Sequence, residues 1–155
     1  MNLLIARHDK IGDFVLTLPM IKVAKEQIED AKIIVLVSKV NYEFAKNISF
    51  IDEVILYDEN IFTLTKRIKG YKIDIAVSAF TDTTLAIALF LAGIKKRVAP
   101  ATKIAQFFAN IRVKQRRSQV KMREFEYNIE LLKTVFPNIS IKFKRPIFYV
   151  CARNE

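Results

Sequence analysis

A chain of 155 residues, 52% apolar and with only three glycines, is sized for one folded domain with a real core, which excludes a disordered or low-complexity chain. Its one cysteine, Cys151, excludes an intramolecular disulfide framework and fits a reducing compartment. The net charge of +10 argues for an anionic partner such as phosphorylated lipid, acidic sugar or nucleic acid.

The chain opens on NLLIAR (2–7), a continuous apolar strand followed at once by charge, which is not the pattern of a secretory signal. In DFVLTLPMIKVAKEQIED (13–30), Leu16, Met20, Val23, Ala24 and Ile28 fall on or near one helical stripe, and Pro19 predicts a kink or a local restart. KIIVLVS (32–38) reads as a second buried strand, NYEFAKN (41–47) as a short helix and EVILYD (53–58) as a third strand. IFTLTKRIKG (61–70) reads as a helix ended by Gly70 at a C-cap position, and KIDIAVSAF (72–80) as a fourth strand. TTLAIALFLAG (83–93) reads as a buried helix closed by glycine; with Ile94 it forms the longest uncharged apolar run, shorter than the ~20 residues that span a bilayer. KKRVAP (95–100) is a short strand. TKIAQFFANI (102–111) is a short helix, and RVKQRRSQVKMR (112–123) a strand and basic loop. EFEYNIELLKTVF (124–136) is an amphipathic helix stopped by Pro137 and Asn138, and ISIKFKRPIFYV (139–150) an extended tail. Apolar strands alternating with helices make βαβ units and a mainly parallel sheet covered on both faces, a Rossmann-like doubly wound α/β fold.

In such sheets ligands bind beyond the carboxyl ends of the strands, where HDKIGD (8–13) falls. Gly12 permits close approach of a ligand, and the amides of the following helix start favour negative charge. The stretch fits neither GxGxxG nor Walker A, so neither dinucleotide nor nucleoside triphosphate binding has motif support. From the residues alone, Asp13 is a helix cap as readily as a reactive carboxylate. His8, the only histidine, gives neither a metal cluster nor a triad and reads as a bystander or hydrogen-bonding residue. Asp82 reads as the cap of the helix 83–93. No D-x-D occurs, so a metal-bridged nucleotide-sugar site has no support. The whole charge excess lies in residues 83–123, which hold ten Lys and Arg and no Asp or Glu. Phe107 and Phe108, in the same segment, are expected to pack into the core.

The stretch LLIARHDKIGDFVLTLPMIKVAKE resembles the N-terminus of the ADP-heptose:lipopolysaccharide heptosyltransferases, glycosyltransferase family 9. There an apolar strand runs into R-x-x-x-x-G-D-x-x-x-T-x-P, and Arg7, Gly12, Asp13, Thr17 and Pro19 all match. IDIAVSAFTDTTLAIALFLAGIKKRVAP (73–100) and the N-x-x-L-L of EFEYNIELLK (124–133) are weaker likenesses.

The resemblance implies the N-terminal domain of a GT-B glycosyltransferase, in which two Rossmann-like domains face a cleft. Residues 1–138 would be the acceptor-binding domain and 139–155 an extended tail or the start of an inter-domain linker. The C-terminal nucleotide-sugar domain lies outside this chain, so transfer by the chain alone is not expected. The implied reaction is inverting transfer of heptose from ADP-heptose to the Kdo/heptose inner core of lipopolysaccharide or lipooligosaccharide. Asp13 would be the general base that takes the acceptor proton. Arg7, Lys10, Gly12 and Thr17 would bind donor or acceptor, and Arg112, Lys114, Arg116 and Arg117 would steer the acidic acceptor. No cofactor or metal is expected. The implied partners are Kdo–lipid A-type acceptor, the C-terminal half of the same enzyme and an anionic inner-leaflet surface, at the cytoplasmic face of the inner membrane of a Gram-negative bacterium; nucleic acid is not expected. The competing readings are a basic nucleic-acid-binding module, which no RRM, KH, zinc or helix-turn-helix motif supports, and a non-catalytic truncated remnant.

Overall fold

A computed structural model of the chain describes residues 1–102, 105–115, 119 and 122–142. In chain order the elements are β1 (Asn2–Ala6), α1 (Ile11–Val15), α2 (Leu18–Gln27), β2 (Lys32–Val37), α3 (Lys39–Lys46), β3 (Glu53–Leu56) and α4 (Ile61–Lys69). There follow β4 (Ile75–Ser78), α5 (Thr83–Leu91), β5 (Lys96–Pro100), α6 (Ala105–Phe108), β6 (Ile111–Val113) and α7 (Glu124–Lys133).

The strands form one sheet in the order β3-β2-β1-β4-β5-β6, every neighbouring pair parallel. Side chains alternate across a strand, so the apolar runs feed two cores. Leu3, Ile5, Ile33, Val35, Val37, Val77 and Val98 face a layer built from α1, α2, α3 and α7. Leu4, Ala6, Ile34, Leu36, Ile55 and Ala76 face α4 and α5. Burial on both faces is why these strands read as unbroken apolar stretches. The strand order reverses between β1 and β4, the topological switch point where doubly wound sheets open a crevice.

The predicted helix 13–30 is two helices. Pro19 lies in the first turn of α2, where its missing N–H breaks no bond, and Thr17 donates from Oγ1 to the Asp13 carbonyl at 2.9 Å across the junction. A buried Asn128 on α7 donates to the Leu16 carbonyl at 3.1 Å, satisfying an acceptor that the end of α1 leaves open. The Phe14 ring is wholly buried, edge-on to Phe44 at 6.0 Å, and anchors α1 to the core with about 2–3 kcal/mol of apolar burial.

Of the predicted helix 102–111, the described residues show α6 at Ala105–Phe108, and Phe107 is 80% exposed rather than packed in the core. Adjacent side chains of a helix point to different faces, so Phe108 meets Phe90 while Phe107 stands out into solvent. The helix 83–93 is likewise only half buried: Leu85, Ala86, Ala88 and Leu89 face the sheet, while Phe90 and Leu91 are exposed. It closes at Gly93 with φ +76°, a left-handed position that favours glycine. Residues 139–142 lie against α2, where Gln27 bonds the backbone of Ser140 and Lys142 and Ile139 is buried. The rest of the expected tail, Cys151 included, falls outside the described residues. Among the described residues no helix is long and apolar enough to cross a membrane.

Candidate functional site

Two loops meet at the switch point. One leaves β1 and carries Arg7, His8, Asp9, Lys10, Gly12 and Asp13; the other leaves β4 and carries Ala79, Phe80, Thr81 and Asp82.

The first loop is organised by Arg7, a buried guanidinium. Its Nε and Nη2 donate to the two carboxylate oxygens of Asp9 at 2.8 and 3.0 Å, a bidentate fork. Nη1 donates to the Ala79 carbonyl at 3.3 Å, tying the two loops together. Nη2 also stands 3.4 Å from an Asp13 carboxylate oxygen. The Asp13 side chain is 38% exposed, and among the described residues Arg7 is its cation partner. Asp13 is not a helix cap: the N-cap of α1 is Lys10, which makes no side-chain cap bond, and Asp13 lies within the first turn.

The second loop is organised by Asp82, which caps α5 by accepting from the Leu85 amide at 2.8 Å, as its sequence position predicts. Its other oxygen accepts from the Tyr57 hydroxyl at 2.6 Å and lies 2.9 Å from His8 Nε2. Burial alone would raise the Asp82 carboxyl, but the bonds from His8, Tyr57 and the Leu85 amide outweigh it and hold the group down at about 2. Burial first, and then the bond to Asp82, push the Tyr57 phenol up to about 12. The His8 imidazole stacks on Tyr57 with centroids 4.1 Å apart and meets Phe80 edge-on at 5.0 Å. His8 is thus a hydrogen-bonding residue that joins both loops to the end of β3. Phe80 also lies 6.0 Å from the Arg7 guanidinium.

The other expected binding residues fall in different surroundings. Thr17 is buried, its hydroxyl spent on the Asp13 carbonyl. Lys10 is exposed at the rim. Gly12 lies in α1 without a positive φ, and a Cβ there would meet nothing within 4 Å. The chain itself therefore makes no demand for glycine at this position. Arg112 and Lys114 belong to the sheet edge, on and just after β6, three strand spacings or about 14 Å from β1. Both are exposed. Arg116 and Arg117 lie outside the described residues. Asp9, Tyr57, Phe80 and Asn128 were not anticipated as parts of the site or its support. The local signals among them are Phe80, at the end of a strand that abuts the switch point, and Asn128, the Asn of the N-x-x-L-L stretch. No group of three or more His, Cys, Asp or Glu side chains suited to a metal ion occurs among the described residues.

The 3-2-1-4-5-6 parallel sheet with its covering helices has close counterparts in solved proteins. A family 9 glycosyltransferase from Veillonella parvula superposes with a TM-score of 0.78 at 13% identity, over 92% of this chain and 42% of its own. The fold is that of a family 9 glycosyltransferase domain. Escherichia coli ADP-heptose lipopolysaccharide heptosyltransferase II gives 0.72 at 18% identity, over 84% of this chain and 40% of its own. An E. coli heptosyltransferase solved with ADP-2-deoxy-2-fluoro heptose gives 0.65 at 17%, over 94% and 50%. At these identities the likeness is one of fold. In sequence, the glycosyltransferase-like chain is 36% identical over 138 residues to a Haemophilus influenzae protein named, by inference, a glycosyltransferase. That alignment takes in 86% of this chain and 40% of the relative, so the chain spans about two-fifths of the curated relative it matches. No protein-family model matches the chain.

Proposed function

We propose that this chain is the acceptor-side half of an inverting glycosyltransferase of the heptosyltransferase type. In this reading it works with a donor-binding domain to move heptose from ADP-heptose onto an acidic inner-core saccharide of lipopolysaccharide or lipooligosaccharide. The observation that carries the reading is the Asp13 carboxylate: partly open to solvent, at the switch point, on a helix that shares a matched R-x-x-x-x-G-D motif and is pinned from below by Phe14, Thr17 and Asn128. Asp13 takes the proton of the attacking sugar hydroxyl as the new C–O bond forms and the nucleoside diphosphate leaves. Arg7 is a positioning residue, since its donors are directed at Asp9, Asp13 and Ala79 rather than left for a phosphate. Gly12 keeps the approach to Asp13 open. Lys114 and Arg112, at the sheet edge, act on an acidic acceptor through long-range attraction.

NMR titration of the chain at physiological salt with a soluble Kdo-containing core oligosaccharide tests this reading. Saturable amide shifts at Gly12 and Asp13 are expected. No response to the sugar, together with tight, salt-steep binding to a duplex oligonucleotide, would replace the reading with that of a basic nucleic-acid-binding module.

A further inference from the structure

The segment that holds the charge excess also exposes large apolar side chains. Phe107 is 80% exposed, Phe90 51% and Leu91 44%. They form one patch: Phe90 meets Phe108, the neighbour of Phe107, edge-on at 6.0 Å, so the end of α5 and the turn of α6 lie side by side. Cations surround it. The Arg97 guanidinium sits 5.3 Å from the centre of the Phe90 ring and is held there by a bond from Nε to the Phe108 carbonyl at 2.7 Å. Lys95 and Lys96 are exposed immediately before Arg97, and Arg112 is exposed beside Ala109. Residues 83–123 contain no acidic side chain to neutralise them.

We infer that the α5–α6 face docks on an anionic phospholipid bilayer, with Phe107, Phe90 and Leu91 entering the interface and the exposed Lys95 and Lys96 facing lipid phosphate. Charge complementarity selects this occupant: apolar side chains ringed by uncompensated cations match a surface that is apolar beneath and negative above. Neither component suffices alone. Exposed rings gain nothing from phosphate, and a few cations hold a protein at a neutral bilayer poorly. This surface is separate from the crevice and the inference does not depend on sugar transfer, so each can fail without the other.

The chain contains no tryptophan, so Phe107→Trp installs a single reporter on an exposed side chain. Its emission is expected to shift to the blue with vesicles of phosphatidylcholine containing roughly a third phosphatidylglycerol, and not with phosphatidylcholine alone; the threshold for anionic lipid reflects the roughly fivefold gain in partitioning per surface cation. In co-sedimentation with the same vesicles, Phe107→Ser is expected to weaken binding about tenfold. Lys95→Glu is expected to weaken it at least about fivefold. No binding to anionic vesicles overturns the inference. So does binding that Phe107→Ser leaves unchanged, which would make the attraction purely electrostatic. A dimer at micromolar concentration that Phe107→Ser dissociates would assign the face to a second copy of the chain, and oligonucleotide binding lost in the same variant would assign it to nucleic acid. Circular dichroism of both variants, whose altered side chains are exposed, checks that the fold is kept.

Discussion

The crevice contains three carboxylates within two loops, and their surroundings differ. Asp82 is saturated: an amide, a phenol and an imidazole meet its two oxygens, and its carboxyl is held at about 2. Asp9 has both oxygens occupied by one guanidinium. Asp13 has a single cation at 3.4 Å, and it differs from Asp82 in the number of donors rather than in exposure, which is 38% against 36%. A base must have a lone pair to offer and a path for the proton donor to reach it. On that measure Asp13 is the carboxylate that fits the proposed role of base, and the other two are the frame that keeps the loops in place. Reactivity and rigidity are divided between neighbouring residues of the same type, by the number of donors that each has been given.

The largest effect expected from breaking this division is at Asp13 itself. In a two-domain enzyme containing this sequence, Asp13→Asn is expected to lower kcat about 10²–10⁴-fold while thermal unfolding stays close to wild type, since the side chain is partly exposed and caps nothing. Transfer kinetics and a melting curve measured on the same preparation check both halves. A variant with full activity would remove Asp13 from the mechanism.

Arg7 is expected to behave in the opposite way. Replacing it by Met strands Asp9 and cuts the link to Ala79, costing about 3 kcal/mol of stability. Arg7→Lys keeps the charge but cannot make the fork to Asp9, and is expected to recover part of the loss. Urea unfolding of the two variants measures the difference.

Much of the frame was legible in the sequence. Strands buried on both faces announce themselves as apolar runs, and the helices 61–70 and 83–93 by the glycine that closes each. The order of the strands was not written locally, because it depends on where each crossover lands. The same divide holds in the site. Arg7, Gly12 and Asp13 sit within seven residues and carry a recognisable spacing. His8 and Asp82 are 74 residues apart and Tyr57 and Asp82 are 25 apart, so only the meeting of β1, β3 and β4 ends brings them together. Hydropathy placed Phe107 inside because composition cannot tell which side of α6 faces the sheet.

Asp82 gives a smaller and pH-dependent effect. Asp82→Ala removes a helix cap and leaves the Tyr57 hydroxyl and His8 Nε2 without their acceptor, for an expected cost of about 2–3 kcal/mol near neutral pH. Its folded carboxyl lies at about 2 against an ordinary 3.8, so ionisation favours the folded state. That contribution is complete above about pH 4 and is lost as the pH falls toward 2. Because the carboxylate is partly solvent-exposed, the pH-linked share is about 1–2 kcal/mol. Wild type and Asp82→Ala melting temperatures are therefore expected to converge in part between pH 4 and pH 2.

The smallest stability effect separates the architecture from what visits it. Gly12 sits in the first turn of α1 with no positive φ, and a methyl group there would touch no atom of the chain. Alanine is the better helix former, so Gly12→Ala is expected to raise stability by up to about 1 kcal/mol. If the open space serves a sugar that must come close to Asp13, the same methyl obstructs it, and saccharide binding is expected to weaken even as the melting temperature rises. A gain in stability with unchanged binding would place the ligand elsewhere along the crevice. Opposite signs from one methyl group would show that glycine is kept here for a partner's benefit and against the helix's own preference.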